Sequence, residues 1–307
     1  MKRILVIRGG AIGDFILTLP TLNALRCAYS HAHIEILGYK HIAVLAENRF
    51  YAQAVRSIEH GPFASFFAKN SELPAELANY FASFDLIITY LYDSDAVFEM
   101  NLRRCGVENL IHGPGKIDHR AHAARQLSRP LQTLGICVED LSAKLYPSAE
   151  DRDAANAFLG DCARPIVAFH PGSGGERKNW PLENWIDLGN HLLASEDFRG
   201  SIVVVSGEAD ADRVGRLQSI WKEATVRFAK DLPLPHLAAV LEQIIFIGHD
   251  SGISHLAAAA GANCVLLFGP TDPAVWAPAN ENAQVIRAPD GEMSRLKFKT
   301  VCDALNL

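Results

Sequence analysis

The sequence predicts an α/β fold in two halves, each a mostly parallel sheet with crossover helices. Short apolar runs of strand length alternate with stretches of helical periodicity from end to end. Glycine-bearing turns join such runs to the helices that follow at Gly9-Gly10, at Gly172 to Gly175 and at Gly252. The length, 307 residues, suffices for two domains with substantial cores.

In the first half, strands are expected at Arg3–Ile7, Ile34–Leu37, Asp85–Tyr90 and Asn109–His112. A helix follows the first of them, with Phe15, Leu19, Leu22 and Leu25 at helical spacing. The boundary is expected near Tyr146-Pro147, giving domains 1–147 and 148–307. Ser148 and Asp151 make a capping box for a helix reaching Leu159. Strands of the second half are expected at Ile166–Phe169, Ser201–Ser206, Ile244–Ile247, Cys264–Phe268 and Gln284–Arg287. One helix starts near Pro181, a residue suited to a first turn. A last helix, from about Ser294 to Leu305, closes the chain and has room to pack back on the first domain. Ligands gather at strand carboxyl ends in such sheets, so two facing sheets imply a cleft between domains.

Hydrophobic residues make up 49% and charged residues 21%, a balance that excludes global disorder. A net charge of −6 argues against a general nucleic-acid binder. Cys27, Cys105, Cys137, Cys162, Cys264 and Cys302 contain no CxxC pair, as expected for reduced thiols in the cytoplasm. The amino terminus is too briefly apolar for a signal peptide, and no stretch reaches the length of a membrane span. The expectation is a soluble, cytoplasmic monomer.

The richest segment runs from His249 to Pro278. A strand-like run leads into Gly248-His249-Asp250-Ser251-Gly252, an Ala-rich helix follows, and the next strand ends on Gly269-Pro270-Thr271-Asp272-Pro273. A small-residue turn before a helix leaves N–H groups free at the positive end of the helix dipole, where anions sit well. An ordinary crossover turn would also want Gly and Ser. A second loop of this kind spans Phe169 to Pro181, with glycines at Gly172, Gly174 and Gly175 beside Ser173 and Lys178. It is not a Walker A loop, because no Gly-Lys-Ser/Thr opens the helix. Lys178 supplies a mobile positive charge to a diphosphate, or else it is a solvated loop lysine.

The amino-terminal turn, Arg8-Gly9-Gly10-Ala11-Ile12-Gly13-Asp14, lacks the GxGxxG order, and Ile34–Leu37 leads into Gly38-Tyr39-Lys40 with no ribose-binding acid. A nicotinamide-dependent oxidoreductase is therefore a weak reading. Asp14 opens a helix, where it is either a cap or a carboxylate held at the mouth of the cleft. Asp93-Ser94-Asp95 and Asp210-Ala211-Asp212 read as solvated turns, and His170 and His255 as residues bonded within their own loops.

Three linked motifs closely resemble the lipopolysaccharide heptosyltransferases of glycosyltransferase family 9: the run Arg8 to Asp14 with Leu19-Pro20; His170-Pro171-Gly172 with Lys178-Asn179-Trp180-Pro181; and Asp250 to His255 with Gly269 to Pro273. Their order and spacing fit from residue 3 to about 290. The resemblance implies a GT-B fold, two Rossmann-like domains around a deep cleft. It implies inverting transfer of a sugar from a nucleotide donor, typically ADP-heptose, with no metal and no cofactor. The acceptor is then a lipid-linked lipopolysaccharide-core or related glycan at the inner membrane surface. By carry-over, Asp14 is the general base, and Ser173, Gly174 and Lys178 hold the diphosphate. Asp250, Ser251 and Gly252 lie at the donor with His255 nearby, and Glu208 takes the ribose hydroxyls. On the acceptor side the candidates are Gly10, Gly13, Lys69, His119, Arg120 and His122.

One departure stands out. An anionic inner-core acceptor calls for Lys and Arg, yet His60 to Glu72 offers only Lys69 among Phe63, Phe66 and Phe67. The phenylalanines are either core or a surface for a lipid-linked acceptor. Rival readings are a GT-B transferase with another sugar or base, and a non-catalytic nucleotide-binding protein that kept the donor loops.

Overall fold

The computed structural model describes residues 1–207, 210–222 and 226–305. The chain divides into two units, Met1–Leu141 and Ser142–Leu307. In the first, β1 (Arg3–Arg8), β2 (His33–Gly38), β3 (Ala54–Ser57), β4 (Leu86–Thr89) and β5 (Leu110–His112) form one sheet in the order β3-β2-β1-β4-β5. Every pairing is parallel. The helices are α1 (Ile12–Ile16), α2 (Leu19–Ala28), α3 (Lys40–Ala43), α4 (Ala75–Ala82), α5 (Val97–Arg104) and α6 (Ala123–Ser128). Buried strands covered on both faces need unbroken apolar runs, which is why Ile4 to Ile7 and Leu86 to Ile88 read so clearly.

Where one helix was expected after β1, two form. Pro20 is the second residue of α2 and has no N–H to offer the preceding turn. Thr18 donates its hydroxyl to the Asp14 carbonyl at 2.8 Å, so a side chain competes with the backbone ladder at the break. The phenylalanines divide: Phe63 and Phe66 are buried in a core with Phe81 and Phe98, while Phe67 is 48% exposed and stacks on Phe98 at 4.9 Å.

The second unit holds α7 (Ala149–Leu159), β6 (Ile166–His170), α8 (Leu182–Ala194), β7 (Ser201–Ser206), α9 (Ala211–Ile220) and β8 (Val226–Lys230). It continues with α10 (Leu234–Leu241), β9 (Ile245–His249), α11 (Gly252–Ala260), β10 (Asn263–Phe268), α12 (Pro273–Trp276), β11 (Ala283–Arg287) and α13 (Phe298–Leu305). Its sheet is parallel throughout, in the order β11-β10-β9-β6-β7-β8. The capping box at α7 is formed, with Ser148 Oγ accepting from Asp151 N at 3.1 Å and Asp151 Oδ2 from Ser148 N at 2.7 Å. Pro181 stands at the N-cap of α8, one residue before the helix rather than inside its first turn. The closing helix is shorter than expected, because Leu296 is extended and separates α13 from a 3-10 turn at Met293–Arg295. Val301 and Leu305 of α13 join the core of this unit, among Trp180, Trp185 and Phe169.

The sheet order decides where a ligand fits. From β6 the chain winds outward through β7 and β8, then crosses to β9 on the other flank. The order reverses between β6 and β9, and the loops after these neighbouring strands open a crevice at their carboxyl ends. The same reversal lies between β1 and β4 in the first unit.

Candidate active site

Both phosphate-type loops of the second unit leave strands that flank its switch point. Helix α11 is capped by Ser251, whose Oγ accepts from Ser254 N at 3.3 Å, and the opening N–H groups of the helix have no carbonyl one turn earlier. Facing it across the crevice, the loop after β6 makes a 3-10 turn at Glu176–Lys178. Lys178 Nζ reaches Asp250 Oδ2 at 2.7 Å, with side-chain exposures of 33% and 10%. A cation, a carboxylate and a helix N-terminus therefore share one place. Ser173 Oγ lies 2.7 Å from Asn179 Oδ1 and 3.0 Å from the Gly175 carbonyl, so its hydroxyl bonds inside the loop. A Cβ on Gly174 would meet nothing within 4 Å, whereas one on Gly172 would lie 2.2 Å from Asp210 Cβ. Gly172 is required by packing, while Gly174 borders open space.

Behind these loops lie two buried histidines. His249 Nε2 accepts the Trp180 N–H at 2.8 Å, and His249 Nδ1 lies 3.3 Å from the Gly172 carbonyl. A backbone N–H can only donate, so Nε2 carries the lone pair and Nδ1 carries the proton. Burial pulls the imidazole down to about 3; nearby His170 adds to this, the Gly172 carbonyl opposes it and Arg213 lowers it further. His170 Nδ1 lies 3.3 Å from Ser251 Oγ and Nε2 lies 3.5 Å from Asp210 Oδ2. Burial lowers its proton affinity too, with Asp210 opposing. Two expectations need correction here. His170 bonds across to the neighbouring turn instead of within its own loop, because β6 and β9 are adjacent. Asp210 is not solvated: it is 3% exposed and takes the Gly207 N–H at 2.9 Å. Asp93, by contrast, caps α5 through the N–H groups of Phe98 and Glu99.

In the first unit Asp14 is the third residue of α1. Its Oδ2 accepts from Ala11 N at 2.9 Å, and Oδ1 lies 3.4 Å from Arg8 Nη2. Ala11 has no side-chain acceptor, so only the returning half of a capping box exists. Arg8 also donates to the Asp14 carbonyl and to Thr18 Oγ1 and lies over the Tyr90 ring at 5.5 Å. Burial pulls the Arg8 guanidinium below its ordinary value, and Asp14 opposes that. Gly10 adopts φ +96°, and a Cβ there would sit 2.7 Å from Asp14 Oδ2. The glycine therefore makes room for the carboxylate, which keeps 38% of its side chain exposed. Each oxygen retains a lone pair for a hydroxyl donor.

The remaining candidates are scattered. His255 is buried on α11 beside Ser254, and Glu208 lies outside the described residues. Gly13 belongs to α1, and its carbonyl accepts from Leu17 N. Lys69 and His119 are exposed, Arg120 pairs with Asp118 at 2.9 Å, and His122 caps α6 by accepting from Ala124 N. His249 and Arg8 are site neighbours to which sequence reasoning gave no role, and Asp210, read there as part of a solvated turn, is a third. Among the described residues, no group of three or more His, Cys, Asp or Glu side chains is arranged to hold a metal ion. Nor is any helix there long and apolar enough to cross a membrane.

Two Rossmann-like parallel sheets with glycine turns at their switch points give the chain the fold of the GT-B heptosyltransferases. The model of glycosyltransferase family 9 (heptosyltransferase) matches residues 116–305, and the chain belongs to that family. It is 30% identical over 148 residues to lipooligosaccharide heptosyltransferase 2 of Haemophilus influenzae, a match covering 46% of this chain and 41% of that one. It is 28% identical over 188 residues to lipopolysaccharide heptosyltransferase 1 of Escherichia coli O18:K1:H7, covering 60% and 56%. The chain thus spans about half the length of these curated relatives. The structure of E. coli ADP-heptose lps heptosyltransferase II superposes with a TM-score of 0.78 at 19% identity, over 100% of this chain and 98% of that one, and so shares its fold.

Proposed function

We propose that the protein is an inverting glycosyltransferase that moves a heptose from ADP-heptose to a lipopolysaccharide-core or related lipid-linked glycan, without a metal, at the inner face of the cytoplasmic membrane. Family membership supports the reaction class, and relatives named as heptosyltransferases support the donor sugar. The observation that favours a diphosphate in particular is Lys178, paired with Asp250 beside the start of α11. In this reading Lys178, the α11 N–H groups and the loop at Ser173 and Gly174 hold the diphosphate. Asp250, Ser251, Gly252 and His255 line the donor, and Glu208 takes the ribose. Gly10, Gly13, Lys69, His119, Arg120 and His122 serve the acceptor side.

The acceptor hydroxyl oxygen attacks the anomeric carbon as the bond from that carbon to the diphosphate breaks on the opposite face, which inverts the configuration. Asp14 receives the hydroxyl proton, and the nucleoside diphosphate leaves with the bonding electron pair. Lys178 and the backbone N–H groups stabilise the charge that grows on it. In the free protein Lys178 is engaged by Asp250, so donor binding exchanges one anionic partner for another.

Lys178→Ala is expected to weaken ADP binding by about 1.5–3 kcal/mol, the worth of a hydrogen bond to a charged group. The loss falls toward the upper end because Asp250 is left unpaired beside the phosphates, and adding Asp250→Asn recovers part of it. Calorimetry showing wild-type ADP affinity in Lys178→Ala would return this residue to a solvated-loop role. In a thermal-shift panel of ADP, GDP, UDP, dTDP and NAD, a donor nucleotide at 100 times its dissociation constant adds about 2.7 kcal/mol. Selective stabilisation by NAD would overturn the reading. Transfer is expected to survive EDTA; loss of activity restored by magnesium would contradict the metal-free route.

A further inference from the structure

We infer that His249 is a positioning residue, a staple that holds the Lys178 loop in register with the Asp250 turn. This rests on the donor-site reading above and names a side chain that the reading does not use. The loop after β6 leaves the sheet at His170 and returns to the core at Trp180. Its two ends are Gly172 and Trp180, and His249 bonds both: the ring accepts the Trp180 N–H at 2.8 Å and turns its Nδ1 proton to the Gly172 carbonyl at 3.3 Å. The same residue is the last of β9, so its own backbone leads directly into Asp250 and the cap of α11. The Ser254 hydroxyl bonds the His249 carbonyl and ties the first turn of α11 to the same point.

The ring has little freedom. It is 0% exposed and packs edge-on against Trp185 at 5.4 Å with an interplanar angle of 88°. With both nitrogens engaged, one donor and one acceptor, only the neutral Nδ1–H tautomer satisfies the loop. Other polar groups at this end of the sheet are His170, Asp210 and Arg213, of which Arg213 grips the same loop through the Pro171 and Trp180 carbonyls. Arg213 also reaches the exposed Glu176 carboxylate at 3.2 Å, and none of its contacts takes a backbone N–H. Among the described residues only His249 takes the Trp180 N–H, two residues beyond Lys178, and so sets where the lysine stands relative to its partner.

The test combines a spectrum with a double-mutant cycle. In 15N-labelled, ligand-free protein, His249 is expected to show the neutral Nδ1–H tautomer at pH 5. His249→Leu is expected to lower ADP affinity about tenfold, and His249→Gln, which keeps one donor and one acceptor, to recover most of it. In a Lys178→Ala background the same His249→Leu change should cost less than about threefold, because the group it positions is gone. An imidazolium or Nε2–H form at pH 5 overturns the inference, and so does an equal loss in both backgrounds. Should the wild-type chain bind no nucleoside diphosphate, the donor-site reading fails, while the spectrum, which needs no ligand, still decides the staple.

Discussion

Asp14→Asn is expected to lower turnover by about 10²–10⁴-fold, the usual contribution of a positioned base, with ADP affinity unchanged. Asp14 is not among the groups proposed to hold the nucleoside diphosphate, so ADP binding should not register the substitution. Asparagine retains an acceptor for the Ala11 N–H, but its amide cannot also face Arg8 as an anion does. Arg8 keeps its bonds to the Asp14 carbonyl and Thr18, so the stability cost should be small, on the order of 1 kcal/mol. Asp14→Ala should add the loss of the Ala11 contact. Single-turnover transfer, melting and ADP titration on both variants separate the roles. Wild-type transfer by the Asn variant would sink the base assignment and leave Asp14 as a helix-end partner of Arg8.

The second large effect is loss of stability in mild acid. His249 is neutral in the folded chain, pulled down to about 3 chiefly by burial, while an unfolded histidine titrates near about 6.5. Between those values the unfolded state binds the extra proton. Stability is therefore fully present above about pH 6.5 and falls as pH is lowered toward the folded value. The slope approaches 1.4 kcal/mol per pH unit, or about 2 kcal/mol between pH 7 and 5 for this residue alone. His170 is shifted in the same direction by its burial and adds to the loss. Denaturant titrations at both pH values should show wild type losing about 2 kcal/mol more than His249→Gln, which has no proton to take up. Parallel losses in the two proteins would mean that His249 is not a buried neutral histidine.

How far the chain could be read in advance varies by element, for physical reasons. The central strands and the glycine turns after β1, β6 and β9 were legible because their signals are local. A strand buried on both faces needs a continuous apolar run, and a tight strand-to-helix turn needs small residues. Strands β3 and β8 were missed. Both sit at sheet edges, and Arg56, Arg227 and Lys230 interrupt their apolar patterns, as charges on edge strands commonly do. Helix ends were misjudged where backbone chemistry intervened, at Pro20 and at extended Leu296.

Local pattern was enough to establish two α/β units and the glycine turns after β1, β6 and β9, and to make Asp14 and Lys178 candidates, since each depends on residues within a few positions of one another. Partnership was not. His249 bonds Trp180 and Gly172 across 69 and 77 residues, and Lys178 meets Asp250 across 72. Those contacts exist because β9 pairs with β6, a choice of strand order that neither segment encodes alone. The fate of the phenylalanines was decided the same way: Phe63 and Phe66 became core because α4 and α5 close over them, and Phe67, one residue later, was left at the surface. Burial depends on which elements end up overhead, and no spacing along the chain records that.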